Sequence, residues 1–306
     1  YSRELVKQGQ SVTVIGHKDS IFPDGVTLLP CSPTADTNQE SERIAFQQYQ
    51  SKIRQFDVVH DFSHQHFASR FLPNLPSLNI FWHAPALAKY PKSPYNIIAL
   101  SHWAAREFQR VYHQKAKYQQ SILIDTEVYR LDGAHADRFL TIGRMAMEKG
   151  NLRALLLCQQ LGVPLDICGG DSDPSYKARI MDLCDGKQWV FHGEVTDAEK
   201  IKLMQSCKAL IYATDHPEVT NHKLQEALLC GAGVIAPRLG AQPEIVTEGV
   251  NGYLCVSNEE YLKAMQSIDK LNPLSTRDEL VQRYAPQYVV GNYLPLYQEV
   301  AQGLRW

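Results

Sequence analysis

Phe139-Leu-Thr-Ile-Gly-Arg-Met-Ala-Met-Glu-Lys-Gly-Asn-Leu-Arg-Ala-Leu-Leu-Leu-Cys-Gln-Gln-Leu-Gly-Val-Pro-Leu-Asp-Ile-Cys-Gly-Gly170 decides the fold. Phe139–Ile142 is a short, continuously apolar run, as a strand covered on both faces must be, and it leaves the sheet on Gly143. A helical pattern follows over residues 149–162, then a second apolar run, Leu165–Cys168, which leaves on Gly169-Gly170. Strand, glycine exit, helix and strand make one βαβ unit, and such units build parallel sheets clothed by helices.

The pattern repeats downstream through a helix near 174–184, Trp189–Phe191, a helix at 197–206, Ala209–Tyr212, a helix at 221–230 and Gly233–Ala236. Upstream, a second alternating series holds strands at Ser11–Gly16, Val26–Leu29, Phe56–Asp61, Leu78–Trp82 and Asn96–Leu100, with helices at 39–54 and 102–112. Between the series, the polar stretch at about 113–138 loses the rhythm and reads as the domain boundary. The expected fold is α/β, with two Rossmann-like doubly wound domains at 1–135 and 136–286 facing each other across a cleft, and a closing helix at 287–306. The opening decapeptide Tyr1–Gln10 reads as an amphipathic helix feeding a strand, the usual crossover from an earlier strand. A first strand and its loop are therefore expected before it.

At 306 residues, two domains are the default. Thirty-one Lys plus Arg against 33 Asp plus Glu give a net charge of −2, which supplies no basic field for nucleic acid. Seven cysteines, odd in number and never spaced C-x-x-C, argue against a disulfide framework or a zinc ribbon and for a reducing, cytoplasmic setting. The apolar runs fall short of the roughly 20 residues that span a bilayer, so membrane contact would be peripheral.

Two features carry chemistry. His216–Gly231 contains Glu218 in a loop and Glu226 inside a helix, with seven residues between them; acceptor-only carboxylates of this kind suit vicinal hydroxyls, although the spacing equally fits a solvated helix face. Arg144 and Lys149 stand at the strand exit and helix start of Gly143–Gly150. Cations there oppose the helix dipole and so call for an anion such as a diphosphate; the plainer reading is two exposed charges. His60, His64 and His66 form a cluster without a completing carboxylate or thiolate, and Asp171-Ser-Asp173 follows a glycine turn where short carboxylates cap the next helix. Neither reads as a metal site.

Taken in order, the motifs G-R-x4-K-G, Gly169-Gly170, His192-Gly-Glu-Val195, E-x7-E and Pro243-Glu-Ile-Val246 with Gly249-Val-Asn-Gly252 resemble the C-terminal half of family-four retaining glycosyltransferases of the GT-B class, over about residues 139–256. The resemblance implies a nucleoside diphosphate sugar of UDP or GDP type as donor, with no further cofactor and no metal, and a sugar, lipid or small molecule as acceptor. It implies that Arg144 and Lys149 bind the diphosphate, that Glu218 contacts the sugar and Glu226 the ribose, that Glu194 and Val195 flank the base, and that Gly169, Gly170 and Asn221 line the donor site. The N-terminal half is similar more loosely, through Asp57–Asp61, Phe81-Trp-His83 and Ile98–Ser101; there His83 takes the place of a family histidine that approaches the reacting sugar, and a satisfied or surface histidine fits equally.

The chain departs from the family at Val219-Thr-Asn221, where small residues usually follow the first glutamate; Asn221 and Lys223 add donors there that suit another hydroxyl pattern or a charged group. A sugar-nucleotide epimerase of the same architecture and a catalytically silent nucleotide-sugar-binding protein are the alternative functions.

Overall fold

The structure, a computed structural model, describes residues 1–31, 38–72, 74–83, 95–132 and 136–306. Part of the expected boundary segment, residues 133–135, lies outside these. The chain divides into two compact units, Tyr1–Leu123 together with Pro286–Trp306, and Ile124–Ala285.

The first unit runs α1 (Ser2–Lys7), β1 (Val12–His17), β2 (Val26–Cys31), α2 (Asn38–Ile53), β3 (Val59–Asp61), α3 (Phe67–Phe71), β4 (Ser77–Phe81), β5 (Ile97–Ala99), α4 (His102–Tyr112) and β6 (Ala116–Tyr118). The second runs β7 (Phe139–Ile142), α5 (Asn151–Leu161), β8 (Leu165–Cys168), α6 (Pro174–Leu183), β9 (Trp189–Gly193), α7 (Asp197–Ser206), β10 (Ala209–Ile211), α8 (His222–Leu229), β11 (Gly233–Pro237), β12 (Gly252–Cys255), α9 (Asn258–Ser267) and α10 (Arg277–Tyr284). Helices α11 (Pro286–Gly291) and α12 (Leu294–Ala301) return to the first unit.

All strand pairs among the described residues are parallel. In the first unit β1 pairs with β2, and β3-β4-β5-β6 form a separate sheet. Ile15 of β1, Leu29 of β2 and Val59 of β3 nevertheless pack against one core of Tyr49, Ile53, Ala68, Leu72 and Leu75. Two expectations change here. The stretch read as rhythmless contains β6, an edge strand on β5 whose Lys117 lies over the Trp306 ring, 3.8 Å from its centroid, and 3.7 Å from Glu299. The single closing helix is two helices, because Asn292 and Tyr293 interrupt the run and Pro295 opens α12. The buried Tyr293 hydroxyl meets Ser121 Oγ at 2.5 Å, and Trp306 N donates to Asn96 Oδ1 at 3.0 Å.

The second unit has one six-stranded sheet in the order β12-β11-β10-β7-β8-β9. Strands β7, β8, β10 and β11 are buried throughout, which their unbroken apolar sequence requires. The chain starts this sheet at β7, lays β8 and β9 to one side, then crosses back to lay β10 on the other. The carboxyl ends of β7 and β10 therefore border the topological switch point, where open α/β sheets bind their ligands.

Candidate functional site

Two loops leave the sheet at that point and are fastened to each other. The loop after β7 descends through a 3-10 turn, Met147–Lys149, to Gly150. Gly150 has φ +73°, and a β-carbon there would lie 2.2 Å from the Ala213 carbonyl oxygen, so only glycine lets the β7 and β10 loops approach this closely. Thr214 Oγ1 donates to the Glu148 carbonyl across the same seam. Asn151 opens α5 and donates through Nδ2 to the Gly143 carbonyl at 3.0 Å, holding the start of the β7 loop.

This seam sets Lys149 against Glu218, with Nζ 2.5 Å from Oε1 and each side chain about one-fifth exposed. The other carboxylate oxygen of Glu218 accepts from Asn221 Nδ2 at 3.2 Å. Asn221 also caps α8, its Oδ1 accepting from Leu224 N at 3.4 Å. The Glu218 backbone is seated on the β11 exit: Ala241 N donates to its carbonyl at 3.0 Å, and a β-carbon on Gly240 would stand 2.7 Å from both Glu218 N and O.

Glu226 lies one turn into α8, and Lys200 of α7 reaches its Oε1 at 3.3 Å. Burial alone would lower the Lys200 pKa; its contacts with Tyr129 and Glu226 raise it instead. Sequence reading missed Lys200 because a partner 26 residues away on another helix leaves no local spacing signal. Arg144 turns elsewhere, Nη1 donating to Ser172 Oγ at 3.0 Å and Nη2 to Glu148 at 3.2 Å, and it is exposed. Arg144 and Lys149 thus have different partners rather than a shared one.

Toward β8 and β9 the exits are also tight. Gly169 N donates to the Gly193 carbonyl at 2.8 Å, and a β-carbon on Gly169 would collide with the Gly143 carbonyl at 1.8 Å. The Glu194 carboxylate lies against Gly170, 3.3 Å from where a β-carbon would stand, with Val195 next in the chain. Asp173 caps α6 by accepting from Ser175 N and Tyr176 N, as the sequence suggested, whereas Asp171 makes no cap and pairs instead with Lys177 on the same helix at 2.8 Å.

Tyr212, which sequence reading passed over, closes the floor. It is fully buried and its hydroxyl has no hydrogen-bond partner among the described residues. Burial first, and then the Glu218 carboxylate, push its pKa up.

In the first unit, His83 stacks on His64, with ring centroids 5.2 Å apart. Partial burial and the neighbouring His64 hold its pKa below the ordinary value. His60 bonds Tyr297 through Nδ1 at 2.7 Å, and burial pushes it down to about 3, while His66 Nδ1 lies 3.6 Å from Asp61. The three histidines are dispersed onto different partners, and no group of three or more His, Cys, Asp or Glu among the described residues is arranged to hold a metal. All seven cysteines are free thiols, and no helix among the described residues is long and apolar enough to cross a membrane.

Residues 134–285 match the family of glycosyl transferases group 1. No curated protein matches the chain by sequence. Among solved structures, AviGT4, a glycosyltransferase involved in avilamycin A biosynthesis, is 20% identical over 100% of this chain and 89% of its own, with a TM-score of 0.73. A sucrose-phosphate synthase from Thermosynechococcus elongatus aligns with a TM-score of 0.79 at 13% identity, over 98% of this chain and 92% of its own. HepE from Anabaena, solved with UDP and glucose, aligns at 0.68 and 17% identity over 91% and 86%. The α/β architecture with parallel sheets is thus that of the GT-B glycosyltransferases, and residues 134–285 of the chain form a glycosyl transferases group 1 domain.

Proposed function

We propose that the second unit binds a nucleoside diphosphate sugar, of UDP or GDP type, and that the enzyme passes its sugar to a hydroxyl of a sugar, lipid or small-molecule acceptor with retention of anomeric configuration. The observation that carries this reading is the fastening of Lys149, Glu218 and Asn221 together at the β7/β10 switch point. The complex of HepE with UDP and glucose supports the donor class.

In this reading Glu218 accepts hydroxyls of the donor sugar, and Glu226, steadied by Lys200, accepts from the ribose. Arg144 and Lys149 face the diphosphate. Gly169 and Gly170 allow close backbone approach, and the Glu194-Val195 turn flanks the base. Bond cleavage leaves positive charge on the sugar and builds negative charge on the departing diphosphate. Fixed cations aimed at the diphosphate stabilise that change without reorganising when it happens. Lys149 is held beside Glu218 by the seam at Gly150, so the cation for the leaving group and the acceptor for the sugar are positioned by one piece of backbone.

The test is an NMR assay of the new glycosidic linkage formed from α-linked UDP- and GDP-sugars. An α-linked product is expected. An inverted product, or conversion of the donor alone with no acceptor present, would replace this reading with a different mechanism or with the epimerase.

A further inference from the structure

We propose that Lys223 binds the donor's diphosphate, as a third cation beside Arg144 and Lys149. The proposal rests on the donor-site reading above. Lys223 is the second residue of α8, and its ammonium reaches back across the switch point: a β-carbon on Gly143 would stand 3.5 Å from Lys223 Nζ and 3.4 Å from Lys149 Cβ. The same ammonium lies 5.0 Å from the centroid of the buried Tyr212 ring. It is therefore held between the exits of β7 and β10, over the floor of the site.

What separates Lys223 from its neighbours is the lack of a counter-charge. Lys149 has Glu218, Arg144 has Glu148 and Lys200 has Glu226. Lys223 has no hydrogen bond or ion pair among the described residues. Each of those three cations thus has its own carboxylate, and the charge of Lys223 is left without one. That charge sits in the first turn of a helix, where the dipole opposes it. A partly buried cation against the dipole is costly unless an anion arrives. A nucleoside diphosphate brings that anion, and Lys149, already bonded to Glu218, leaves part of the diphosphate's charge for another group to meet.

Titration supports the geometry. Burial pushes the Lys223 pKa down to about 8; the carboxylates of Glu218 and Glu226 act to raise it, and Lys149 and Arg144 to lower it. Tyr212 faces it from β10's exit, and His222 precedes it on α8. A bound diphosphate favours the protonated ammonium, so binding must weaken as pH climbs past 8, by up to tenfold per pH unit.

The experiment is calorimetric titration of UDP, GDP and the matching monophosphates into wild type, K223M and K223R between pH 7 and 9.5. At pH 7, K223M should weaken the preferred diphosphate by about 10- to 100-fold, the range of a lost hydrogen bond to a charged group. It should also narrow the preference for diphosphate over monophosphate. K223R should retain binding and lose the fall above pH 8, because a guanidinium stays protonated. A K223M protein that binds diphosphates like wild type, with the same pH profile, overturns the proposal. So does a K223M defect confined to nucleotide sugars whose sugar carries a carboxylate, which would move the anion from the diphosphate to the sugar. If wild type binds neither diphosphate, the donor-site reading fails first and takes this proposal with it; if R144A weakens the diphosphate and K223M does not, this proposal fails alone.

Discussion

Gly150→Ala tests whether close approach of two loops builds the site. Gly150 and Gly162 are both left-handed glycines at the two ends of α5, with φ +73° and +66°. An alanine at either position costs about 1–2 kcal/mol for the left-handed backbone, less about 0.4–1 kcal/mol recovered by restricting the unfolded chain. Gly162 has nothing within 4 Å of the new methyl, so Gly162→Ala should stop at about 1 kcal/mol. At Gly150 the methyl meets Ala213 O at 2.2 Å, Ala213 C at 2.3 Å and Thr214 N at 2.7 Å, all backbone that has no rotamer to escape into. The loops must part, adding roughly 1–3 kcal/mol for overpacking. The Thr214 to Glu148 hydrogen bond would go with them, at about another 1 kcal/mol. Gly150→Ala should therefore cost about 3–5 kcal/mol, some 2–4 kcal/mol more than Gly162→Ala. Urea unfolding followed by tryptophan fluorescence measures both, since Trp189 is the only tryptophan in the second unit. Donor affinity should fall in the Gly150 variant alone, because Lys149 moves with the seam. Equal destabilisation by the two alanines would refute the reasoning.

Arg144→Ala and Lys149→Ala should each lower kcat by about 100-fold or more, whereas Glu226→Gln should act mainly on donor KM, because charge grows on the diphosphate in the transition state while the ribose changes little; steady-state kinetics with varied donor separates the two, and unchanged kcat in both cation variants would dismiss their assignment. Asp166 makes a different kind of prediction. Burial would raise its pKa, but Arg138 at 2.7 Å and His192 at 2.8 Å hold it below the usual carboxylate value, so its contribution to stability is present above the unfolded pKa and is lost as pH falls through the native one. Asp166→Asn should flatten the acid limb of the stability curve between about pH 5 and pH 2, and an unchanged slope would show that the pair contributes nothing to it.

The second unit was legible because its strands are buried on both faces and therefore carry unbroken apolar runs between glycine exits. Phe139–Ile142 and Leu165–Cys168 have the bounds expected of them, and α7 is marked at Thr196 by a capping box with Glu199. The first unit was less legible where burial is partial. Ala116–Tyr118 is polar because it is an edge strand, and polarity hid it. In the site, spacing separated Glu218 from Glu226 but could not reveal that Lys200 steadies the second, since that contact joins two helices, or that Tyr212 lies near the first, since that depends on how the loop between β10 and α8 folds back. Nor did spacing show that Arg144 reaches toward Ser172 and away from Lys149.

The departure at Val219-Thr-Asn221 takes on a definite physical meaning in this setting. Small residues after the first glutamate would let backbone approach backbone; here Val219 is buried, and Gly240, whose missing β-carbon leaves room for Glu218 N and O, lies against this loop. Asn221 then does two jobs that a glycine could not, capping α8 through Oδ1 and holding Glu218 through Nδ2. Two residues further on, the same substitution of function for space continues with Lys223, where a charge reaches the switch point. In the proposed donor-site reading this loop would offer a ligand an amide and an ammonium, while Glu218 stays anchored by Lys149, Asn221 and Ala241.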